Sequence, residues 1–175
     1  MARRLPEPDH LPCLGLLEAT PQVLRLLMAG LSEDDALWKP AADRFSVAEV
    51  LAHLSHVEGY CYRVRLDRFL EEESPAFEAF DAADHRDRYR GGDPEEDFAH
   101  FEEQRETNLE FLRSLPASAG VRAAIHAQAG PITLAQMLHE WAMHDLGHIR
   151  QIAELIRARL QGGAGALGAE YRLRP

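Results

Sequence analysis

The chain has little cysteine and no long apolar run. Its two cysteines, Cys13 and Cys61, stand in unrelated contexts without a CxxC pair. This excludes a cysteine-based zinc ribbon and suits a reducing compartment. No apolar stretch approaches the length needed to span a bilayer. Pro6 and Pro8 stand where a signal peptide would carry its apolar segment. We therefore expect a cytoplasmic protein without a signal peptide.

Positive charge is also scarce. The chain has 19 Lys and Arg against 29 Asp and Glu, a net charge of −10. This balance argues against nucleic acid or an anionic membrane surface as a partner. A hydrophobic content of 46% is typical of globular proteins, and 175 residues fit one domain. We predict a single domain over residues 1–175, with a core at about 16–160 and a flexible, glycine-rich tail at 161–175.

No strand-like alternation competes with four helical patterns. The first helix is predicted at TPQVLRLLMAGL, where Thr20 caps and Pro21 suits the first helical position, and CLGLLEA upstream is a candidate extension. The second is predicted from a capping box of Ser46 and Glu49 to about Leu70. Its apolar residues recur at steps of four and three: Val50, Leu54, Val57, Cys61 and Val64.

The third helix is predicted from Asp93 as cap and Pro94 as the first helical residue to just before Pro116. About twenty residues, EEESPAFEAFDAADHRDRYRGG, join it to the second helix. Antiparallel neighbours usually need only a short connection. The long link therefore predicts that the second and third helices run parallel, joined by a crossover. The predicted fold is all-α, a four-helix bundle.

The fourth helix carries a pair of histidines on its inner face. It is predicted from a capping box of Thr133 and Gln136 to Leu160. His144 and His148 lie one turn apart on its apolar seam, so both imidazoles can reach one metal ion. The same spacing occurs in the HExxH helices of zinc peptidases. Here the motif is HDLGH, which lacks their glutamate base and excludes that class.

A catalytic metal usually needs at least three protein ligands. His53, in VLAHLSHVEGY, lies beside the apolar seam of the second helix and is the candidate third ligand, with His56 as its rival. Tyr60, predicted on the face of His53, and Glu49, one turn before it, are candidates to bond an imidazole or a metal-bound water. The alternative is that these histidines are ordinary hydrogen-bonded core residues.

Three further polar residues can support the site. Gln151, one turn beyond His148, is expected to touch a metal-bound water. Asp145 is expected to form an ion pair or hydrogen bond that orients a neighbour, with proton acceptance as the alternative. Arg105 is expected to form a solvated or interhelical ion pair, with anchoring of a substrate carboxylate as the alternative. His139 is predicted to project away from the histidine face.

From about Leu16 to Leu160 the chain resembles the DinB-like family, the DinB/YfiT superfamily of metal-binding bundles. The resemblance rests on LSEDDALWKPAADRFSVAEVLAHL, PAFEAFD, FEEQR and GPITLAQMLHEWAMHDLGHIRQI. It implies a four-helix bundle with a crossover after the second helix and a divalent metal held by His53, His144 and His148. Zinc or nickel is the expected metal, with iron or manganese as alternatives. His56 and His126 lie near recurrent family positions and are not assigned as ligands.

The resemblance leaves the reaction open. Some members resemble thiol S-transferases that use bacillithiol or mycothiol, and others resemble metal-dependent hydrolases. The sequence offers no clear general base for hydrolysis, so we predict transfer of a low-molecular-weight thiol to a small electrophile. A hydrolase, or a bundle whose metal only binds a ligand or ties helices together, is the alternative. A homodimer is expected because dimers recur in the family.

Overall fold

A computed structural model describes residues 10–79 and 86–171 of the chain. Four long helical segments form the bundle, and the second of them is a continuous run of α-helix, π-helix and α-helix. The helices are α1 (Leu14–Met28), α2 (Glu33–Leu37), α3 (Val47–Val57), a π-helix (Glu58–Arg63), α4 (Val64–Glu71), α5 (Pro94–Ser114) and α6 (Leu134–Gln161). Short 3-10 helices cover Arg86–Tyr89, Ala117–Val121 and Gly165–Tyr171. The tail predicted to be flexible is therefore partly in a 3-10 turn, and residues 172–175 lie outside the described part.

A small sheet sits beside the bundle, which the sequence did not predict. It contains β1 (Ala76–Phe77), β2 (Ala123–His126) and β3 (Gly130–Thr133). β1 runs parallel to β2, and β2 is antiparallel to β3. Strands of two to four residues are too short to show an alternating pattern. The sheet links the crossover to the segment before α6, and the all-α bundle prediction stands.

The side-chain contacts show how the helices run. Three contacts join α3 and the π-helix to α5 in ascending order on both sides: Ser55 with His100, Glu58 with Arg105, and Arg63 with Asn108. These two segments are therefore parallel, as the long link predicted. Two contacts of α1 with α5, Glu18 with Arg113 and Arg25 with Glu102, run in opposite order. α1 is therefore antiparallel to α5.

Two apolar clusters fill the bundle, with a polar layer between them. One cluster includes Leu17, Leu66, Phe69, Leu109 and Trp141, and the other includes Leu24, Val50, Phe101, Ile152 and Leu155. The polar layer consists of Thr20, His53, Glu58, Arg105, His144, Asp145 and His148. Most of these residues lie along their helices between members of the two clusters, and His53 and Glu58 lie on either side of the change from one cluster to the other between Leu54 and Val57. The polar groups therefore meet near the middle of the bundle.

α1 includes the upstream piece CLGLLEA that was the candidate extension, so it begins before the predicted cap. Cys13 is its N-cap, so Pro21 lies inside the helix and Thr20 is not a cap. Proline has no N–H, so it cannot bond the carbonyl four residues earlier, which belongs to Leu17. Arg105 Nη1 donates to that carbonyl at 2.8 Å instead. A partner from α5 thus allows the proline within α1.

The π-helix changes which residues of the second segment face inward. Its turns hold more residues than α-helical turns, so the register after it shifts. Val64, predicted inside, is 47% exposed, whereas Leu66 and Phe69 are fully buried. Tyr60, predicted on the face of His53, is 76% exposed. Both predictions are wrong because they assumed an uninterrupted α-helical period.

Candidate metal centre

Two neighbouring helices carry the three histidines of the predicted site. His53 lies on α3, and His144 and His148 lie one turn apart on α6. Each occupies an inward position on the seam of its helix, so packing α3 on α6 brings the rings together. His53 is 3% exposed, and the other two rings are half-buried.

The Nε2 atoms of the three rings point toward one another. His144 Nε2 lies 3.1 Å from His53 Nε2 and 3.1 Å from His148 Nε2. Two nitrogens bound to a tetrahedral zinc ion at about 2.1 Å are about 3.4 Å apart. The three residues form a group whose ligand atoms all lie within 4.8 Å of one another. The spacing is therefore close to what one ion requires.

Hydrogen bonds hold the outer nitrogens of two rings. Gln151 Oε1 accepts a hydrogen bond from His148 Nδ1 at 2.8 Å. The Tyr89 hydroxyl lies 3.3 Å from His53 Nδ1. A proton on Nδ1 leaves the lone pair of Nε2 for a metal. Gln151 thus bonds an imidazole, whereas the sequence led us to expect contact with a metal-bound water.

His144 differs from the other two rings. Its Nδ1 is buried and has no hydrogen-bond partner among the described residues. In the metal-free protein its proton is best placed on Nε2, where a lone pair of His53 or His148 can accept it. A divalent cation bound at Nε2 would require the proton of neutral His144 to move to Nδ1, and the lone pairs of all three Nε2 atoms could then meet one ion. The donor set therefore fits such an ion.

Burial keeps His144 and His148 in the form that binds metals. Burial, together with the neighbouring His148 and His53, lowers the pKa of His144 to about 2. Burial also lowers the pKa of His148, although the hydrogen bond to Gln151 opposes this shift. A metal binds the neutral imidazole. His144 and His148 are therefore ready to bind at neutral pH.

Two carboxylates considered for the site are engaged with other groups. Glu49 accepts hydrogen bonds from Ser46 N at 2.9 Å and Lys39 Nζ at 2.8 Å, which confirms the predicted capping box. Asp145 is 1% exposed and pairs with Arg105 at 2.6 Å. The predicted ion-pair role of Asp145 is confirmed.

Three other histidines, His56, His126 and His139, have different surroundings. His56 Nδ1 lies 3.0 Å from the Tyr89 hydroxyl, and its ring centroid is 5.1 Å from that of Tyr60. His126 Nδ1 accepts hydrogen bonds from backbone N–H groups of its own turn. His139 is exposed and bonds a carbonyl of its own helix, as its predicted outward direction requires.

A buried ionic network lies behind the histidines. Arg105, 1% exposed, donates two hydrogen bonds to Glu58 at 2.8 Å each and two to Asp145 at 2.6 and 3.1 Å. Although burial opposes the charged form, the two carboxylates raise the pKa of Arg105. The predicted interhelical ion pair is confirmed. Because Asp145 follows His144 directly, the network holds that part of α6 against α5 and the π-helix.

Sequence reasoning missed Glu58 and Tyr89. Glu58 also accepts from Asn108 and Trp141, at 3.0 and 3.2 Å. It lies one turn after Leu54 on the inner seam, and an acidic residue at such a position was an available signal. Tyr89 comes from the crossover, where no periodicity places a side chain. Burial raises the pKa of Tyr89 to about 12, so its phenol keeps the proton.

Comparisons with known proteins agree with this architecture. A family model described as the DinB superfamily matches residues 16–152. A solved structure, YfiT from Bacillus subtilis, is 24% identical with a TM-score of 0.74. The match covers 82% of this chain and 83% of that chain. YfiT is described as a probable metal-dependent hydrolase with an unusual four-helix bundle topology. No curated protein matches the chain. In the described residues no helix is long and apolar enough to cross a membrane.

Proposed function

The chain belongs to the DinB superfamily, and from this premise we propose that it is a metal-dependent enzyme whose ion is held by His53, His144 and His148. The observation that carries the proposal is the convergence of their Nε2 atoms at 3.1 Å. An ion bound there would lower the pKa of a coordinated thiol or water and supply a nucleophile near neutral pH. Gln151 and Tyr89 orient two of the rings.

The nitrogen-only ligand set favours zinc or nickel, with iron or manganese as alternatives. Imidazole suits zinc, copper, iron and nickel, and affinity order alone does not choose among them. Metal availability in the cell then decides which ion is bound. Elemental analysis of the protein purified without added metal identifies it.

Among the reactions open to such a site, we favour transfer of a low-molecular-weight thiol to a small electrophile. Hydrolysis gains from a positioned general base within hydrogen-bond reach of the attacking water. In the described residues, Glu49 bonds Lys39 and Ser46, and Asp145 bonds Arg105. A thiolate is already a strong nucleophile, so binding and orientation can suffice. Burial raises the pKa of Cys61, so we take the thiol to be a cosubstrate.

Hydrolysis is the second candidate, and the likeness to YfiT favours it. The two chains share a fold over most of their lengths. A water activated at the same three histidines would serve an ester or amide substrate. Thiol transfer and hydrolysis differ in the second substrate, so one set of assays separates them.

The first experiment tests the ion. His53→Ala, His144→Ala and His148→Ala should each lose most of the bound divalent metal. His139→Ala, on the exposed face of α6, is the matched control and should keep it. Unchanged metal content in all three ligand variants would refute the proposed site.

The second experiment tests the reaction. Metal-loaded protein is supplied with bacillithiol or mycothiol and monochlorobimane, and in parallel with simple ester and amide substrates. We expect conjugation faster than the uncatalysed rate and abolished in the His144→Ala variant. Conjugation at the background rate together with metal-dependent hydrolysis would reverse the choice between the two reactions.

We also propose that the protein acts in the cytoplasm as a homodimer. Exposed apolar side chains support the dimer: Leu26 on α1 and Met143 and Leu146 on α6 are 78%, 71% and 51% exposed. Such residues are often covered in an assembly. Light scattering at micromolar concentration should give a dimer mass, and a monomer mass would contradict this expectation.

A further inference from the structure

Glu140 lies one helical turn before His144 on α6. Four residues turn an α-helix by about 40° beyond a full turn, so Glu140, His144 and His148 form one slanted row on the helix surface. His148 and His144 are half-buried, and Glu140 is exposed. Side chains four residues apart on a helix have Cβ atoms about 5–6 Å apart. The row therefore leads from the candidate metal centre to a carboxylate in contact with solvent.

A buried tyrosine fixes the position of the Glu140 carboxylate. Tyr62 is 3% exposed, and its ring stacks on Trp141 with centroids 4.4 Å apart. The same ring packs edge-on against His144, with centroids 5.6 Å apart. Its hydroxyl donates a hydrogen bond to Glu140 Oε2 at 3.1 Å. One tyrosine thus contacts both a predicted metal ligand and the carboxylate, so Glu140 is held beside the site although it is exposed.

The charge of Glu140 is not balanced by a cation in the part of the chain that the structure describes. There the carboxylate accepts the hydrogen bond of the phenol and forms no ion pair. Arg65, which follows that tyrosine by three residues, donates instead to the carbonyl of Glu78 at 2.7 Å. By contrast, Asp145 is paired with Arg105. Glu140 therefore has charge left to attract a positively charged ligand.

A thiol bound at the metal centre would bring its other groups close to this carboxylate. The proposed cosubstrate binds through its sulfur, so a group two carbon atoms away still lies near the mouth of the site. An ammonium group there would be attracted to the carboxylate and could donate hydrogen bonds to it. A carboxylate at the same place on the thiol would be repelled. Glu140 can therefore select among thiols by their charge.

We propose that Glu140, fixed by Tyr62, anchors the ammonium group of an amino thiol whose sulfur binds at the metal held by the three histidines. The inference rests on the proposed function and narrows its cosubstrate to thiols that carry a positive charge near the sulfur. Glu140 is the residue that binds this group. Tyr62 is a positioning residue, because it acts through the carboxylate of Glu140.

The test compares three thiols that differ only in the group two carbons from sulfur. Cysteamine is a cation, 2-mercaptoethanol is neutral and 3-mercaptopropionate is an anion. Full-length protein loaded with cobalt(II) in place of zinc reports thiol binding through its absorption spectrum, without turnover. Glu140→Gln keeps an oxygen that accepts from Tyr62 but removes the charge. Glu154→Gln is the matched control, because it removes the same charge from α6 at a residue that pairs with Arg157.

We expect Glu140→Gln to lower the ratio of cysteamine affinity to 3-mercaptopropionate affinity about 5-fold, because an exposed charge pair contributes up to about that factor. The wild-type ratio should fall as salt is added, since salt screens exposed charges. Glu154→Gln should keep the wild-type ratio.

Two kinds of failure are distinguishable. An unchanged ratio in Glu140→Gln, or equal weakening of all three thiols, would overturn the anchoring role alone. Wild-type protein that binds no cobalt, or that binds none of the thiols once it is loaded, would refute the proposed thiol transfer and this inference with it.

Discussion

Replacing Arg105 by methionine tests whether the buried ionic network holds the bundle together. Arg105 is 1% exposed and donates five hydrogen bonds, two to Glu58, two to Asp145 and one to the Leu17 carbonyl. Methionine fills much of the same volume but donates none of these bonds. Glu58 and Asp145 would then stay buried without their cation.

Removing one partner of a buried ion pair typically costs about 3–5 kcal/mol. We therefore expect Arg105→Met to lose roughly this free energy of unfolding, measured by urea denaturation at pH 7. For a chain of this size the midpoint temperature should fall by roughly 2–4 °C per kcal/mol. Both measurements are made on metal-free protein, so that bound metal does not add to the stability.

Arg113→Met is the matched control on the same helix. Arg113 pairs with Glu18 at 2.8 Å, but the two side chains are 46% and 55% exposed. An exposed pair of this kind contributes about 0–1 kcal/mol. Arg105→Met losing no more stability than Arg113→Met would refute the reasoning. A second check uses Glu58→Gln. Alone, it should destabilise the protein. Combined with Arg105→Met, it should restore part of the lost stability, because it removes the carboxylate charge that Arg105→Met leaves unpaired.

Two further predictions concern pH and helix register. Lowering the pH from 7 to 5 should destabilise the metal-free fold by about 2 kcal/mol through His144, because its folded pKa of about 2 lies far below the ordinary 6.5. Below pH 6.5 the unfolded state binds a proton that the folded state does not bind. This contribution to the free energy of unfolding is therefore present above pH 6.5 and is lost as the pH falls. Denaturation at both pH values should show a smaller loss of stability in His144→Asn than in wild type. Leu66→Ala should lose about 2–5 kcal/mol and Val64→Ala under about 0.5 kcal/mol, because the π-helix buries Leu66 fully and leaves Val64 47% exposed. Equal losses of stability in Leu66→Ala and Val64→Ala, measured by thermal denaturation, would argue against the π-helix.

Much of the fold could be predicted because its signals are local. The capping boxes at Ser46 and Thr133 depend on side chains three residues away, and both are present. The apolar period of α5 placed Phe101 and Leu112 in the core, where they lie. The same reasoning placed His53, His144 and His148 on inward faces, and packing of α3 on α6 brings them together. Their role as metal ligands stays a prediction.

Two predictions, the start of the first helix and the register of the second helix after the π-helix, were wrong because local spacing does not show their causes. Pro21 indicated a helix start because proline leaves the carbonyl of Leu17 without its helical hydrogen bond. In the structure Arg105, which is distant in sequence, donates to that carbonyl, so the helix continues through Pro21. The registers of Tyr60 and Val64 fail because one extra residue in a helical turn rotates all later side chains by about 100°.

The sequence by itself therefore determined the four long helical segments, the crossover and the inward direction of the three histidines, since each depends on spacing within a few residues or on the length of one link. Only the tertiary structure decided what surrounds the site. Tyr89 and Arg105 reach their partners across 33 to 88 positions of the chain, and no local pattern encodes which groups meet. Those meetings follow from how the helices pack, because buried polar groups must find partners wherever the packed helices bring them together.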